Sequence, residues 1–200
     1  MEHTHVYVAL IAAASTILVT HLKEHYYPKK KHEYLSVHKS ESYIKLDKLC
    51  NVIREKTKAD GVYIAGFHNG GTFISGLKMD KYTVLGEDYG VNLRSYKSKY
   101  KDILVNTCSY LFHSLLVSNR YGVCDSKEYN KEDQCYVDDL KARDVSSAYT
   151  FLIKHPITGS PLGFISLEFH VKDGFQKSEE RHIWKHHNEI ANLLTTNKKK

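Results

Sequence analysis

Two runs near the C-terminal end, 148–154 (AYTFLIK) and 162–169 (LGFISLEF), are the clearest strands in this chain. Both are rich in β-branched and aromatic residues. The seven residues between them, His155-Pro156-Ile157-Thr158-Gly159-Ser160-Pro161, hold two prolines and a glycine, so the chain turns there and the runs read as a hairpin. Leu152, Phe164, Ile165 and Leu167 are expected in the core, with their faces unassigned.

The rest of the pattern is built around that hairpin. Ser40 and Ser42 are N-cap candidates for a helix over 43–58, where Leu46, Leu49, Cys50 and Ile53 recur at helical spacing and Asp60-Gly61 ends the run. Residues 62–67 (VYIAGF) read as a strand, Asn69-Gly70 as a tight turn and 73–77 as the returning strand. A further short strand is expected at 81–85. Residues 102–116 fit a helix after Asn106 better than they fit alternation. A short strand at 121–124 and a polar loop with one helical turn at 131–140 follow. Residues 178–194 close the pattern as an amphipathic helix, with Ile183, Trp184, Ile190, Ala191 and Leu194 on one face. Helix, hairpin, strand, irregular middle, hairpin, helix is the order of an α+β fold: an antiparallel sheet flanked by N- and C-terminal helices.

Ahead of this domain lies a different kind of segment. Residues 6–22 (VYVALIAAASTILVTHL) carry no ionised side chain, and seventeen helical residues would span about 25 Å, the short end of the transmembrane range. A signal peptide would need a positive n-region, and a buried core helix would show capping or amphipathic periodicity; neither is evident. Glu2 lies before the segment, whereas Lys23, Lys29, Lys30 and Lys31 follow it, which orients the N-terminus outside and the remainder in the cytoplasm. The expected organisation is a short extracytoplasmic N-terminus (1–5), one transmembrane helix (6–22), a basic juxtamembrane linker (23–41), one domain (42–195) and a basic tail (196–200), held at a cell inner membrane as a single-pass protein.

The net charge of +6 does not point to nucleic acid. Residues 23–39 hold five lysines against Glu24 and Glu33, and Lys198–Lys200 add three more, so 40–197 is left nearly neutral. Lysines placed that way suit anionic lipid head groups beside the membrane exit, not a basic groove.

The block 59–71 (ADGVYIAGFHNGG) resembles the first strand and turn of a GAF domain, and 145–169, ending in PITGSPLGFISLEF, resembles the strands that close that domain. The resemblance covers about residues 42–195. It implies a PAS-like architecture, a signalling role, a pocket over the sheet for a small molecule or chromophore, and self-association into a dimer through the terminal helices.

Candidate site residues are His68, Asn69, Tyr89, Arg94 and Ser147, the first two from the His68-Asn69-Gly70-Gly71 motif at the mouth of such a pocket. Each also has a plainer reading as turn or surface polarity. His182 and His186 share a helix face at i, i+4 without a third ligand, so no metal is assigned. The four cysteines, Cys50, Cys108, Cys124 and Cys135, form no CxxC pair and read as reduced thiols. Gly122-Val123-Cys124 resembles a segment of the GAF proteins that reduce free methionine sulfoxide. That resemblance places partner cysteines where this chain has Ser114 and Ala148, and Cys108 and Cys135 lie at other spacings. The expected function is a non-catalytic, membrane-anchored sensor or interaction module that binds a small ligand or protein partner, its cofactor unspecified. The second reading is a phage or bacterial membrane protein of holin or antiholin type; an enzyme is the third.

Overall fold

The structure is a computed structural model and describes residues 40–68, 80–90, 95, 97, 99–128 and 134–196. Helix α1 (40–57) opens the described chain. Leu46, Leu49, Cys50 and Ile53 are all buried, as their spacing predicts. The helix starts three residues earlier than 43, so Ser42 lies inside it, buried, and not at its cap. Lys58 takes a left-handed φ of 55° and stops the helix before β1 (Gly61–His68).

Five further strands complete the sheet: β2 (Lys81–Tyr89), β3 (Ile103–Leu104), β4 (Arg120–Val123), β5 (Ser147–Lys154) and β6 (Pro161–Phe169). Their order is β3-β2-β1-β6-β5-β4, with every neighbouring pair antiparallel. The closing hairpin therefore forms as read. Residues 69–79, where the Asn69-Gly70 turn and the strand over 73–77 were expected, lie outside the described residues. The described hairpin-like partner of β1 is β2.

β2 runs four residues past the expected 85. Ala65 pairs with Val84 but Ile64 pairs with Gly86, so Leu85 is an extra residue in the ladder. Such a bulge breaks the two-residue period on which a strand reading depends. Gly86 has its own reason to be glycine. A Cβ there would stand 2.6 Å from Leu46 Cβ and 2.9 Å from the Leu46 carbonyl carbon, so α1 can lie this close to β2 only over a bare Cα. Polar contacts complete the seam: Asp47 Oδ1 accepts from the Glu87 amide at 2.9 Å, and Asp88 pairs with Arg54 and accepts from Asn51 Nδ2 at 3.1 Å.

The pleat divides the sheet's side chains into two cores. On one face Val62, Ile64, Phe151, Ile153, Ile165 and Leu167 pack under α1 and α4 (Glu180–Thr196). On the other Ala65, Phe67, Val84, Leu152 and Phe164 pack under α2 (Ser109–Ser118) and α3 (Gln134–Ala142). The two terminal helices thus share one face. The residues of 131–140 read as a polar loop with one turn contain most of the nine-residue α3 instead, the segment 129–133 lying outside the described residues. Its buried stripe is only Tyr136, Val137 and Leu140, too narrow to raise an amphipathic signal among six polar or small neighbours. Trp184 is a second correction. It is 43% exposed, its ring meeting Phe151 edge-on and His187 at a tilt at the rim of the core.

Candidate functional site

The α2/α3 face carries a strip of polar side chains where a core would ordinarily be apolar. Strand register builds it. Tyr63, Ser166, Thr150 and Tyr121 stand opposite one another across β1, β6, β5 and β4, and Glu168 lies one row along, between Gly61 and Ala148. Ser166, Thr150 and Glu168 are fully or almost fully buried. Helix α3 supplies the cover: Tyr136 and Asp139 from its inner side, and Arg143 just past its end.

Arg143 organises the charges. Its Nη1 donates to Glu168 Oε1 at 2.6 Å, its Nη2 lies 3.0 Å from Asp139 Oδ2, and its Nε donates to the same oxygen at 3.1 Å. The Tyr100 hydroxyl donates to Asp139 Oδ1, and the Arg143 guanidinium lies 5.9 Å from the centre of the Tyr100 ring. Thr150 Oγ1 and Ser166 Oγ share a hydrogen bond at 3.1 Å, and the Tyr136 hydroxyl sits 3.5 Å from Thr150 Oγ1. Glu168 Oε2 is buried yet has no hydrogen-bond partner among the described residues. A buried carboxylate oxygen left so is costly, which makes it the feature of this strip that calls for a ligand.

Burial governs the ionisation of the whole group. It pushes the Glu168 carboxyl up, the Arg143 charge pulling back against it. For Arg143, burial acts to lower the guanidinium, but Glu168 and Asp139 outweigh it and hold the charge firmly on. The Tyr136 hydroxyl is pushed up to about 12 by burial and by the Glu168 charge. Tyr63, Tyr82 and Tyr100 are raised above the usual phenol range, first by burial. The phenols stay neutral donors around one paired guanidinium. Beneath them Phe164 meets Tyr63, Phe67, Tyr82 and Phe112 with ring centres 5.2–6.1 Å apart, an aromatic floor to the strip.

The residues singled out from sequence do not converge on this strip. Asn69 and Arg94 lie outside the described residues. His68 ends β1, its Nε2 lying 2.7 Å from Thr83 Oγ1 and 3.5 Å from Asp102 Oδ1. Tyr89 pairs with Gly61 at the other end of that strand, seven residues away or roughly 23 Å. Ser147 begins β5, fully buried, where its Oγ donates to the Val171 carbonyl at 2.7 Å and accepts from the Gly174 amide at 3.2 Å. It latches the β6–α4 connection. Among the described residues no three His, Cys, Asp or Glu side chains gather as metal ligands. His187 Nε2 accepts from the Lys154 amide at 3.2 Å, and His186 Nδ1 stands 3.5 Å from Glu189.

The fold as a whole superposes on solved structures of one kind. The phycocyanobilin-bound GAF domain of a cyanobacterial phytochrome superposes with a TM-score of 0.61 at 16% identity, over 83% of this chain and 94% of that one. This chain has the GAF fold. The blue-light-absorbing GAF domain of PixJ from Thermosynechococcus elongatus gives 0.58 at 12% identity, over 80% and 88% of the two chains. A type II free methionine-R-sulfoxide reductase from Thermoplasma acidophilum gives 0.56 at 16%, over 80% and 96%. No family model and no curated protein matches the sequence. At these identities the likeness carries the GAF fold alone, and none of these structures supports the holin or antiholin reading. Among the described residues no helix is long and apolar enough to cross a membrane; residues 6–22 lie outside them.

Proposed function

We propose that this GAF-fold domain is a non-catalytic sensor that takes a small organic molecule on its α2/α3 face, over the strip of Glu168, Arg143 and the tyrosines Tyr63, Tyr82, Tyr100 and Tyr136. The observation that carries the reading is the buried, unpartnered Glu168 Oε2 beside a guanidinium already committed to Oε1 and to Asp139. An acceptor held that way selects a ligand that brings an N–H donor: an amine, an amide or a nitrogen heterocycle. Neutral phenol hydroxyls around it can serve the ligand's carbonyl or ring acceptors, and the aromatic floor suits a planar group. The bilin carried by the phytochrome GAF domain is one ligand with pyrrole N–H groups, so a bilin belongs among the probes.

In this reading residues 6–22 anchor the chain in the inner membrane, and the lysines of 23–31 lie against the cytoplasmic head groups. Output then passes through a partner or through pairing of the terminal helices, whose outer faces expose Ile44, Val52 and Trp184. A thermal-shift screen of the full chain against amines, amides, nucleobases and a bilin tests the proposal. A donor-bearing compound should raise the melting temperature, by the equivalent of about 2.7 kcal/mol at a hundred times its Kd. A screen in which none does so counts against it.

A further inference from the structure

Cys108 and Cys135 are 27 residues apart in sequence, and in the fold their sulfurs stand 2.9 Å from each other. Cys108 is the last residue of the short 3-10 segment Val105–Cys108 that leads into α2, and it is half-buried against the aromatic cluster. Cys135 is exposed in the first turn of α3. A disulfide needs its sulfurs about 2.05 Å apart, so the approach still required is under an ångström. Among the described residues the other two thiols have no such neighbour: Cys50 is fully buried on the inner face of α1, and Cys124 lies beside Tyr149 after β4.

We infer that Cys108 and Cys135 form a reversible redox site, oxidised by hydroperoxides to a disulfide that ties the start of α2 to α3. Cys135, the exposed thiol, meets the oxidant first. Its thiolate attacks one peroxide oxygen, the O–O bond breaks, and Cys135 becomes a sulfenic acid while the departing oxygen takes a proton and leaves as water from hydrogen peroxide or as the alcohol from an organic hydroperoxide. The Cys108 sulfur then attacks the Cys135 sulfur, its proton goes to the sulfenic oxygen, the S–O bond breaks and water leaves. Two thiols give up two electrons, and one hydroperoxide is reduced by two. A dithiol reductant reverses the bond by exchange.

The pair differs from the positions implied by the reductase resemblance, which fall on Cys124, Ser114 and Ala148. It also has a structural consequence of its own. Cys135 precedes Tyr136, and α3 carries Asp139 and leads to Arg143, so the bond fastens the helix that covers the buried carboxylate. Formation of the disulfide does not depend on any ligand being bound there.

Peptide mapping of the full chain after hydrogen peroxide treatment tests the site. Trypsin separates the four cysteines, with Cys108 in 102–120, Cys124 in 121–127 and Cys135 in 132–141. The expected result is a fall from four alkylatable thiols to two. Under non-reducing conditions 102–120 should be joined to 132–141, lighter than their sum by two hydrogens, and dithiothreitol should release them. In Cys108→Ser, Cys135 should be trapped by dimedone as the sulfenic acid, and Cys124→Ser should leave the joined peptides unchanged. Alkylation of Cys108 and Cys135 in full after peroxide would overturn the proposal, as would a bond that joins two copies of the chain on a non-reducing gel. Reduced Cys108→Ser with the parent's melting temperature establishes that the readout is the bond and not the fold.

Discussion

Arg143 Nη1 lies 2.6 Å from Glu168 Oε1, and both side chains are closed off from solvent, 7% and 0% exposed. A buried ion pair is weak evidence of stabilisation, because desolvating two charges costs about what their attraction returns. Breaking one is a different matter. Arg143→Ala leaves the buried Glu168 without its cation, Asp139 keeping Lys99 at 3.4 Å, and should destabilise the fold by about 3–5 kcal/mol. Replacing Arg143 and Glu168 together by methionine should recover much of that loss. Urea denaturation of the two single variants and the double variant measures both; a loss in the double variant equal to the sum of the single losses would mean that the charges are not coupled.

The same carboxylate gives the stability a pH signature. Its pKa is raised on folding from an ordinary 4.5, chiefly by burial. Between the unfolded and folded values the native state binds the extra proton, so this group's contribution is fullest below the unfolded value and shrinks as pH rises through the folded one. The unfolding free energy of the parent minus that of Glu168→Gln should therefore fall with rising pH in a window that opens near 4.5. A difference that is flat with pH, or that rises, contradicts the assignment.

Gly86 tests the docking of α1 on β2. Gly86→Ala puts a methyl 2.9 Å from a backbone carbon of Leu46, which cannot rotate away as a side-chain tip could. The expected cost is about 1–3 kcal/mol, the usual penalty of overpacking. Full stability of this variant in a denaturant titration would mean that the helix does not lie so close.

Much of this fold was legible from local pattern, and the failures have local causes. The closing hairpin and the buried stripe of α1 rest on runs whose period is unbroken. β2 was cut short because the Leu85 bulge shifts the alternation. α3 was hidden because three buried residues in nine are too few to mark a face. The site was harder still. Glu168 is the next-to-last residue of an apolar strand, where a charge ordinarily faces water, and its cation is 25 residues away across the β5–β6 hairpin. Cys108 and Cys135 were set aside on linear spacing, which says nothing of a contact made by two helices folded over one sheet. The single signal available was a glutamate at an inward position of LGFISLEF, given the register in which Phe164 and Ser166 also face α3.

The proposed membrane anchoring and its orientation have their own check. A reporter active only in the cytoplasm, fused after Lys200, should be active if the lysines at 23, 29, 30 and 31 fix the sidedness. Activity of a periplasm-dependent reporter at the same position would reverse it. Exchanging Lys29, Lys30 and Lys31 for glutamine should weaken the preference.

The central claim is that Glu168 Oε2 receives an N–H group of a small ligand, and the direct measurement is a pair of thermal-shift titrations. A compound that stabilises the full-length parent is titrated against Glu168→Gln. In that variant the amide oxygen can still accept from Arg143, while an NH2 group stands where the carboxylate oxygen was, turning an acceptor into a donor. The account requires the ligand-induced rise in melting temperature to be lost in Glu168→Gln, although the unliganded variant remains folded. An equal rise in both proteins would contradict it.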